Sequence, residues 1–461
     1  MKTGRLRIAM LVWSYWPGHE GGAERQCRKL IPHLAARGMD VVVCTAWTQG
    51  GHVRNERRED HGIVRLGRVV PLFMSVRRWL EKALGKISRT GGAACISPPG
   101  EGTGPTACGA PHGGIPPAVG RVPPRGGFSD FRKRLGGEQS RSRARVREAL
   151  LFWLSLLPTW GARCSFLAGL WLWLRRPENR PDVIHVHESS WLAGAAALLA
   201  GRYGIPVLAK TAVFPAWNVL GYDVPLRGTL SRARRNCYFA ALAGHQEEDL
   251  RAKGVPPDRV FRVPNGVDVP AEAADLSSRG VLFVGNFSQS VEEKAFDVLL
   301  EAWSAVARKD PVARLVMLGD GDASPWKALA ESLGIGPSVR FVGWASEPSE
   351  YYRRAALFVL PSRSEGMSNA LLEAQSWGLP CVASDIPGNR AVVEDGVNGL
   401  LVPVGHAPAL AEAMLRLLAD EPLRKKLGGR ARDRARSDFS LAAVADRLGE
   451  IYRSLAEGKL R

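Results

Sequence analysis

The chain of 461 residues is predicted to be an α/β protein built from two doubly wound parallel-sheet halves. Three observations lead there. Apolar runs of strand length alternate with amphipathic stretches of helix length, first over Leu6–Thr45 and again from Val281 onward. A polar linker, Val269–Arg279, separates the two series. The length also exceeds that of one ordinary domain. Two such halves imply a cleft between them, and open sheets of this kind bind ligands at the carboxyl ends of their strands.

In the first half, Leu6–Trp13 reads as a buried strand and Gly18–Ala23 as a glycine-containing loop. A helix over Ala23–Arg37 follows, stopped by Gly38, and then a strand at Val41–Thr45. Gly21 and Gly22 suit either a plain strand-to-helix turn or a loop whose backbone approaches a ligand closely. From 85 to 127 glycine and proline supply 20 of 43 residues, a composition that does not support a packed core. With the basic run beyond it (Arg132, Lys133, Arg134, Arg141, Arg143, Arg145, Arg147), residues 85–147 are read as a disordered insertion. The tryptophan-rich stretch Leu151–Leu174 admits three readings. It suits a pair of domain helices ahead of a strand at Val183–Val186, a helix lying in a membrane interface, or a membrane span interrupted by Pro158, Gly161 and Arg163.

The second half should contain strands at Val281–Val284, Arg314–Leu318, Val339–Val342, Leu357–Leu360 and Pro380–Ala383. Helices at Ala295–Arg308, Trp326–Leu333 and Ser368–Trp377 alternate with them, and a last helix covers about 442–460. The most informative segment runs from Pro361 to Ala374: an apolar strand enters a short polar turn and then an amphipathic helix, with Glu365 and Glu373 bracketing the turn. A strand, a small-residue loop and a helix start present backbone N–H groups to an anion. A carboxylate on each side suits a ligand with phosphates in its middle and hydroxyls at both ends, as in a nucleotide sugar.

The loop Gly285–Lys294 carries a lysine at a helix entrance, where a cation is unfavourable unless an anion shares the site. Lys294 is therefore either a solvated surface lysine or a phosphate ligand. Gly319-Asp320-Gly321-Asp322 reads as a tight turn lining the cleft, since it lacks the third glycine of a dinucleotide fingerprint. Phe341-Val342-Gly343-Trp344 ends a strand at the same level and is placed to cover a nucleobase.

The formal charge of +18 points to anionic partners. Nucleic acid is disfavoured, because the basic residues cluster in the low-complexity segment without interleaved stacking aromatics. Seven scattered cysteines with no CxxC pair point to a reducing compartment and away from a zinc site. The apolar run Ile8–Trp13 is only strand-length and is not read as a signal peptide.

The run SEGMSNALLEAQSWGLPCVASDIPGNRAVVEDGVNGLLV, within Pro361–Val402, resembles glycosyltransferase family 4, retaining enzymes of the GT-B fold with two Rossmann-like domains. GGAERQCRKLIPHLAARGMDVVV resembles the acceptor-side glycine loop of that family, and His185–His187 (HVH) and Pro264–Asp268 (PNGVD) match further landmarks. The resemblance skips residues 86–146. It implies an N-terminal acceptor-side domain over 1–270, a nucleotide-sugar domain over 280–440, and a C-terminal helix, 441–461, packing back on the first domain.

The roles it implies are specific. Glu365 would bond a donor-sugar hydroxyl and Glu373 the ribose hydroxyls, while amides of Gly366, Met367, Ser368, Asn369 and Ala370 would hold sugar and diphosphate. Lys294 would neutralise the leaving diphosphate, with Gly285, Asn286 and Val342 completing the donor site. Gly21, Gly22, His187 and Lys210 would face the acceptor, His185 and His187 being also readable as plain strand residues. No metal or other cofactor is expected. The implied activity is transfer, with retention, to a glycan in cell-surface polysaccharide synthesis in the cytoplasm. The basic run and the tryptophan-rich stretch extend the expectation to a lipid-linked glycan and to an anionic membrane surface as partner, at the inner face of the plasma membrane.

Two departures stand out. The family places Arg where this chain has Asn286, so a second phosphate cation must come from elsewhere, Arg363 and Arg390 being candidates. A family His is also absent after Val207–Ala209, where Lys210 stands. A nucleotide-sugar epimerase of the same fold and a non-catalytic partner subunit are the competing readings.

Overall fold

The computed structural model describes residues 5–12, 22–47, 55–68, 161, 163–188, 191–211, 235–287, 291–345 and 347–458. Gly21, the insertion at 85–147 and most of 151–162 lie outside them.

The first half holds β1 (Arg7–Leu11), α1 (Gly22–Ala36), β2 (Asp40–Trp47), β3 (Asn55–Arg57), β4 (His61–Arg68), β5 (Val183–Val186), α2 (Trp191–Gly201), β6 (Val207–Lys210), β7 (Tyr238–Ala241), α3 (Gly244–Ala252) and β8 (Val260–Arg262). Its strands lie in the order β3-β4-β2-β1-β5-β6-β7-β8. β1 pairs in parallel with both β2 and β5, and β3 meets β4 antiparallel at the edge. Ile8 to Leu11 are fully buried, as expected for a central strand covered on both faces. In α1 the apolar residues Cys27, Leu30, Ile31 and Leu34 recur at helical spacing, and all four are buried.

The second half holds β9 (Gly280–Val284), α4 (Val291–Lys294), α5 (Phe296–Lys309), β10 (Arg314–Leu318), α6 (Ser324–Ser332), β11 (Val339–Gly343), α7 (Ser349–Arg354) and β12 (Leu357–Leu360). It continues with α8 (Asn369–Ser376), β13 (Cys381–Ser384), α9 (Pro387–Arg390), β14 (Gly399–Val402), α10 (Ala407–Ala419), α11 (Glu421–Asp438) and α12 (Leu441–Ala456). The sheet order is β11-β10-β9-β12-β13-β14. Strand order therefore reverses between β9 and β12. A crevice opens at such a switch point, between the loops that leave the two strands.

The chain crosses between the halves twice, and the crossings are bonded to each other: Val267 N donates to Phe439 O at 2.7 Å and Leu441 N to Val267 O at 3.1 Å. Ser440 then caps α12 by accepting from Ala443 N. Leu441, Val444, Ala445, Leu448, Ile451, Tyr452 and Leu455 form one buried stripe of α12, which joins the core of the first half beside Ile8, Leu30 and Leu34. At about 1.5–3 kcal/mol per large buried apolar side chain, that stripe holds the helix firmly.

Residues 163–175 are helical, with Leu170 and Leu174 fully buried. Among the described residues no helix is long and apolar enough to cross a membrane.

Candidate active site

The loops leaving β9 and β12 meet at the switch point. β12 is buried throughout and ends at Pro361 and the fully buried Ser362. Ser368 caps α8 by accepting from Leu371 N, which leaves the preceding amides at the open end of the helix. Lys294 Nζ donates to Glu365 Oε1 at 2.5 Å, and Ser362 Oγ donates to the same oxygen at 2.9 Å. Both charged side chains are largely sheltered, 21% and 12% exposed. Glu365, expected at the donor sugar, and Lys294, expected at the diphosphate, are thus in direct contact.

Backbone geometry brings Lys294 there. Ala295, fully buried, takes the left-handed conformation (φ 53°, ψ 48°) between α4 and α5, redirecting the chain just after the lysine. For a residue with a Cβ this costs about 1–2 kcal/mol. Glycines allow the loops to approach. A Cβ on Gly319 would lie 1.7 Å from Gly285 O, and one on Gly388 would lie 2.2 Å from Glu365 O. Neither position has room for any other residue. Gly285 N further donates to Leu318 O, Phe287 N to Asp320 O and Gly319 N to Gly343 O, which ties the three loops together.

Glu373 accepts from Tyr352 OH at 2.9 Å. Tyr352 is buried, and burial together with the neighbouring carboxylate pushes its phenol well above the ordinary range. The ring therefore stays a donor. Glu373 and Tyr352 line a cavity of about 740 Å³ together with Gly285, Asn286, Asp320 and Trp344. Gly343 (φ 83°) turns the chain out of β11 and leaves Trp344 at the cavity, 66% exposed. Val342, expected in the donor site, packs half-buried against the core of the second half, so the indole two residues on is the group at the cavity.

Asn369 binds sideways rather than forward. Its Oδ1 accepts from Asn265 Nδ2 at 2.9 Å and from Gln26 Nε2 at 3.2 Å, while Asn265 N reaches Met367 Sδ at 3.4 Å. Gln26 also pairs with both backbone groups of Gly266, at 2.9 Å each. α1 is thereby fastened to the first turn of α8. No local pattern marks Gln26, whereas Asn265 sits in the PNGVD landmark.

Of the residues expected to face the acceptor, Gly22 opens α1. His185 and His187 are buried, their rings stacked at 4.5 Å, and His185 Nδ1 contacts Tyr452 OH at 2.5 Å. Neither ring nitrogen of His187 has a hydrogen-bond partner among the described residues. With Lys210 and Gln26 the two histidines line a cavity of only about 10 Å³, room for about one water. Burial lowers the His185 pKa to about 3, takes His187 well below its ordinary value and lowers Lys210 to about 8. Lys210 adds a like-charge contribution at both histidines. Both imidazoles are thereby kept neutral near pH 7. Among the described residues no group of three His, Cys, Asp or Glu is placed to hold a metal ion.

Two family models match: one described as Glycosyl transferases group 1 over residues 278–420, and one described as Glycosyl transferase 4-like domain over residues 131–266. The D-inositol 3-phosphate glycosyltransferase 1 of Catenulispora acidiphila is 32% identical over 325 residues, covering 64% of this chain and 76% of that protein. Among solved structures, sucrose-phosphate synthase from Thermosynechococcus elongatus superposes with a TM-score of 0.66 at 20% identity, over 98% of this chain and 100% of that one. Anabaena HepE in complex with UDP and glucose gives 0.60 at 14% identity, over 98% and 100%. These neighbours share the two-sheet GT-B architecture.

Proposed function

We propose, for a chain that belongs to the glycosyl transferases of group 1, that it is a retaining enzyme using a nucleotide-sugar donor and a glycan or lipid-linked glycan acceptor, in the synthesis of cell-surface polysaccharide. The observation that carries this reading is the contact of Lys294 with Glu365 at the open end of α8, beside a cavity that holds Glu373. A cation, a helix start and two carboxylates in that order suit a diphosphate flanked by two sugars.

In this reading the bond from the sugar C1 to the leaving phosphate oxygen breaks as the acceptor oxygen bonds to C1 on the same face. The departing phosphate oxygen takes the acceptor proton. Lys294 and the amides of Gly366–Ala370 stabilise the charge that accumulates on the diphosphate. Glu365 holds a sugar hydroxyl and Glu373 the ribose, with Tyr352 fixing the carboxylate. This arrangement calls for no divalent ion, and transfer in excess EDTA should equal that without it. The basic run Arg132–Arg147 would steer the enzyme to an anionic, cytoplasmic membrane face.

Incubation with UDP-, GDP- and ADP-sugars, followed by mass spectrometry for released nucleotide and glycosylated product, tests the reading. Transfer to an added glycan acceptor with retained configuration is expected. An altered sugar nucleotide without acceptor would instead identify an epimerase. Binding of no donor at all would identify a non-catalytic subunit, the outcome that Asn286 in place of an arginine favours.

A further inference from the structure

A diphosphate carries more charge than one lysine neutralises, and Asn286 contributes none. The two arginines that sequence reasoning offered as replacements are engaged elsewhere. Arg363 binds Asp297 through both terminal nitrogens, at 3.1 and 2.7 Å. Arg390 holds Asp385 through Nε at 2.5 Å and Nη2 at 2.8 Å, and faces a separate cavity with Arg262 and Arg434.

The cavity that contains Gly285, Asn286 and Glu373 is nevertheless cationic on its opposite wall. Arg25, Arg28 and Lys29 line it from α1, on one helix face by their spacing. The Gln26–Asn369 bond fixes how closely this face approaches α8. Lys29 is tied to Asp268 at 3.0 Å. Arg25 is exposed and has no acidic partner among the described residues. Burial and Glu373 push the Tyr352 phenol up while Arg25 pulls it down, which sets the guanidinium within electrostatic range of the Tyr352–Glu373 pair.

We propose that Arg25, reaching across from α1, is the second cation for the donor's diphosphate and replaces the positive charge missing at Asn286. The inference rests on the donor reading above and adds a consequence: the phosphates, rather than the nucleoside, draw the first half onto the second. A guanidinium suits the task because it engages two phosphate oxygens at once.

Calorimetric titration of UDP, GDP and ADP, and of uridine, guanosine and adenosine, into wild type and Arg25→Gln tests it. For whichever diphosphate the wild type binds, the variant should bind about 10–100-fold more weakly, with the matching nucleoside unchanged. Arg25→Lys should recover part of the loss, and the unfolding temperature of Arg25→Gln should match wild type. Wild-type diphosphate affinity in Arg25→Gln, or an equal loss for nucleoside and diphosphate, overturns the proposal while leaving the donor reading intact. A wild-type chain that binds none of the three diphosphates overturns the donor reading and this proposal with it.

Discussion

Lys294 and Glu365 are held 2.5 Å apart across two loops that leave different strands. Each is the other's counter-ion until a ligand arrives, so the site is poised rather than strained by lone charges. Removing one partner leaves the other sheltered and uncompensated. Glu365→Gln and Lys294→Met should therefore each lower the transfer rate by about 100-fold or more, the range seen when a group that stabilises developing charge is removed. The double variant should lose much less than the product of the two, because the residues act as a unit. Multiplicative losses in steady-state kinetics would show that they work independently.

Tyr352 gives Glu373 its orientation through one hydrogen bond at 2.9 Å. Tyr352→Phe keeps the buried ring and removes the hydroxyl. Stability should fall by about 1 kcal/mol. Under the ribose role proposed for Glu373, donor KM should rise several-fold while kcat changes little, since such a contact would be the same in ground and transition states. A fall in kcat with unchanged KM would place Glu373 nearer the reacting centre than the proposed ribose role does.

How much of this was legible depended on burial. β5, β10 and β12 stand where the apolar runs placed them, and β1, β2 and β9 differ by a few residues at their ends, because strands covered on both faces read as continuous hydrophobic runs. The β3–β4 hairpin carries Asn55, Glu56, Arg57 and Arg65 and gave no such run. α11 escaped notice for a similar reason, since its buried positions are Arg424, Leu427, Gly428, Ala431 and Ala435, a stripe too small and polar to stand out. In the site, Glu365 and Glu373 announced themselves by spacing and context. Tyr352, 21 residues before Glu373, and Gln26, 343 before Asn369, become partners only through the fold, so local pattern could not reveal them.

Gln26 offers a test of how the halves are joined. Gln26→Leu has nearly the same volume but strands the Gly266 N–H and C=O, both of which it satisfies at 2.9 Å. Buried groups left without partners cost about 1–3 kcal/mol each. The variant should unfold at clearly lower denaturant, and donor affinity should drop because Asn369 loses one of its two anchors. Unchanged stability in urea titration would mean that water replaces the side chain.

Gly319 constrains the loop leaving β9 sterically. A methyl group placed 1.7 Å from Gly285 O cannot be accommodated without moving the loop that carries Asn286 and leads to Lys294. Gly319→Ala should abolish most donor binding. Gly429→Ala, where nothing lies within 4 Å of the added carbon, should behave as wild type in the same calorimetric titration. Equal affinity in both variants would show that the loop is free to shift.

The buried pair His185 and His187 makes stability depend on pH with a definite sign. The folded His185 pKa is lowered to about 3 and that of His187 also lies well below normal, burial being the leading cause. The unfolded chain, with histidines near 6.5, binds more protons over that interval, so stability rises with pH up to about 6.5 and falls on acidification below it. By pH 5 His185 accounts for roughly 2 kcal/mol of that loss, and His187 adds to it with the same sign. Lys210, lowered to about 8, has the same sign in a higher window: stability rises from pH 8 toward 10.5 as the buried ammonium gives up its proton. Unfolding midpoints measured from pH 5 to 7 should climb steeply in wild type and flatten in His185→Gln/His187→Gln, while Lys210→Met should remove the rise between pH 8 and 10. An acid limb that keeps its wild-type slope in the double variant would place its origin outside this pocket.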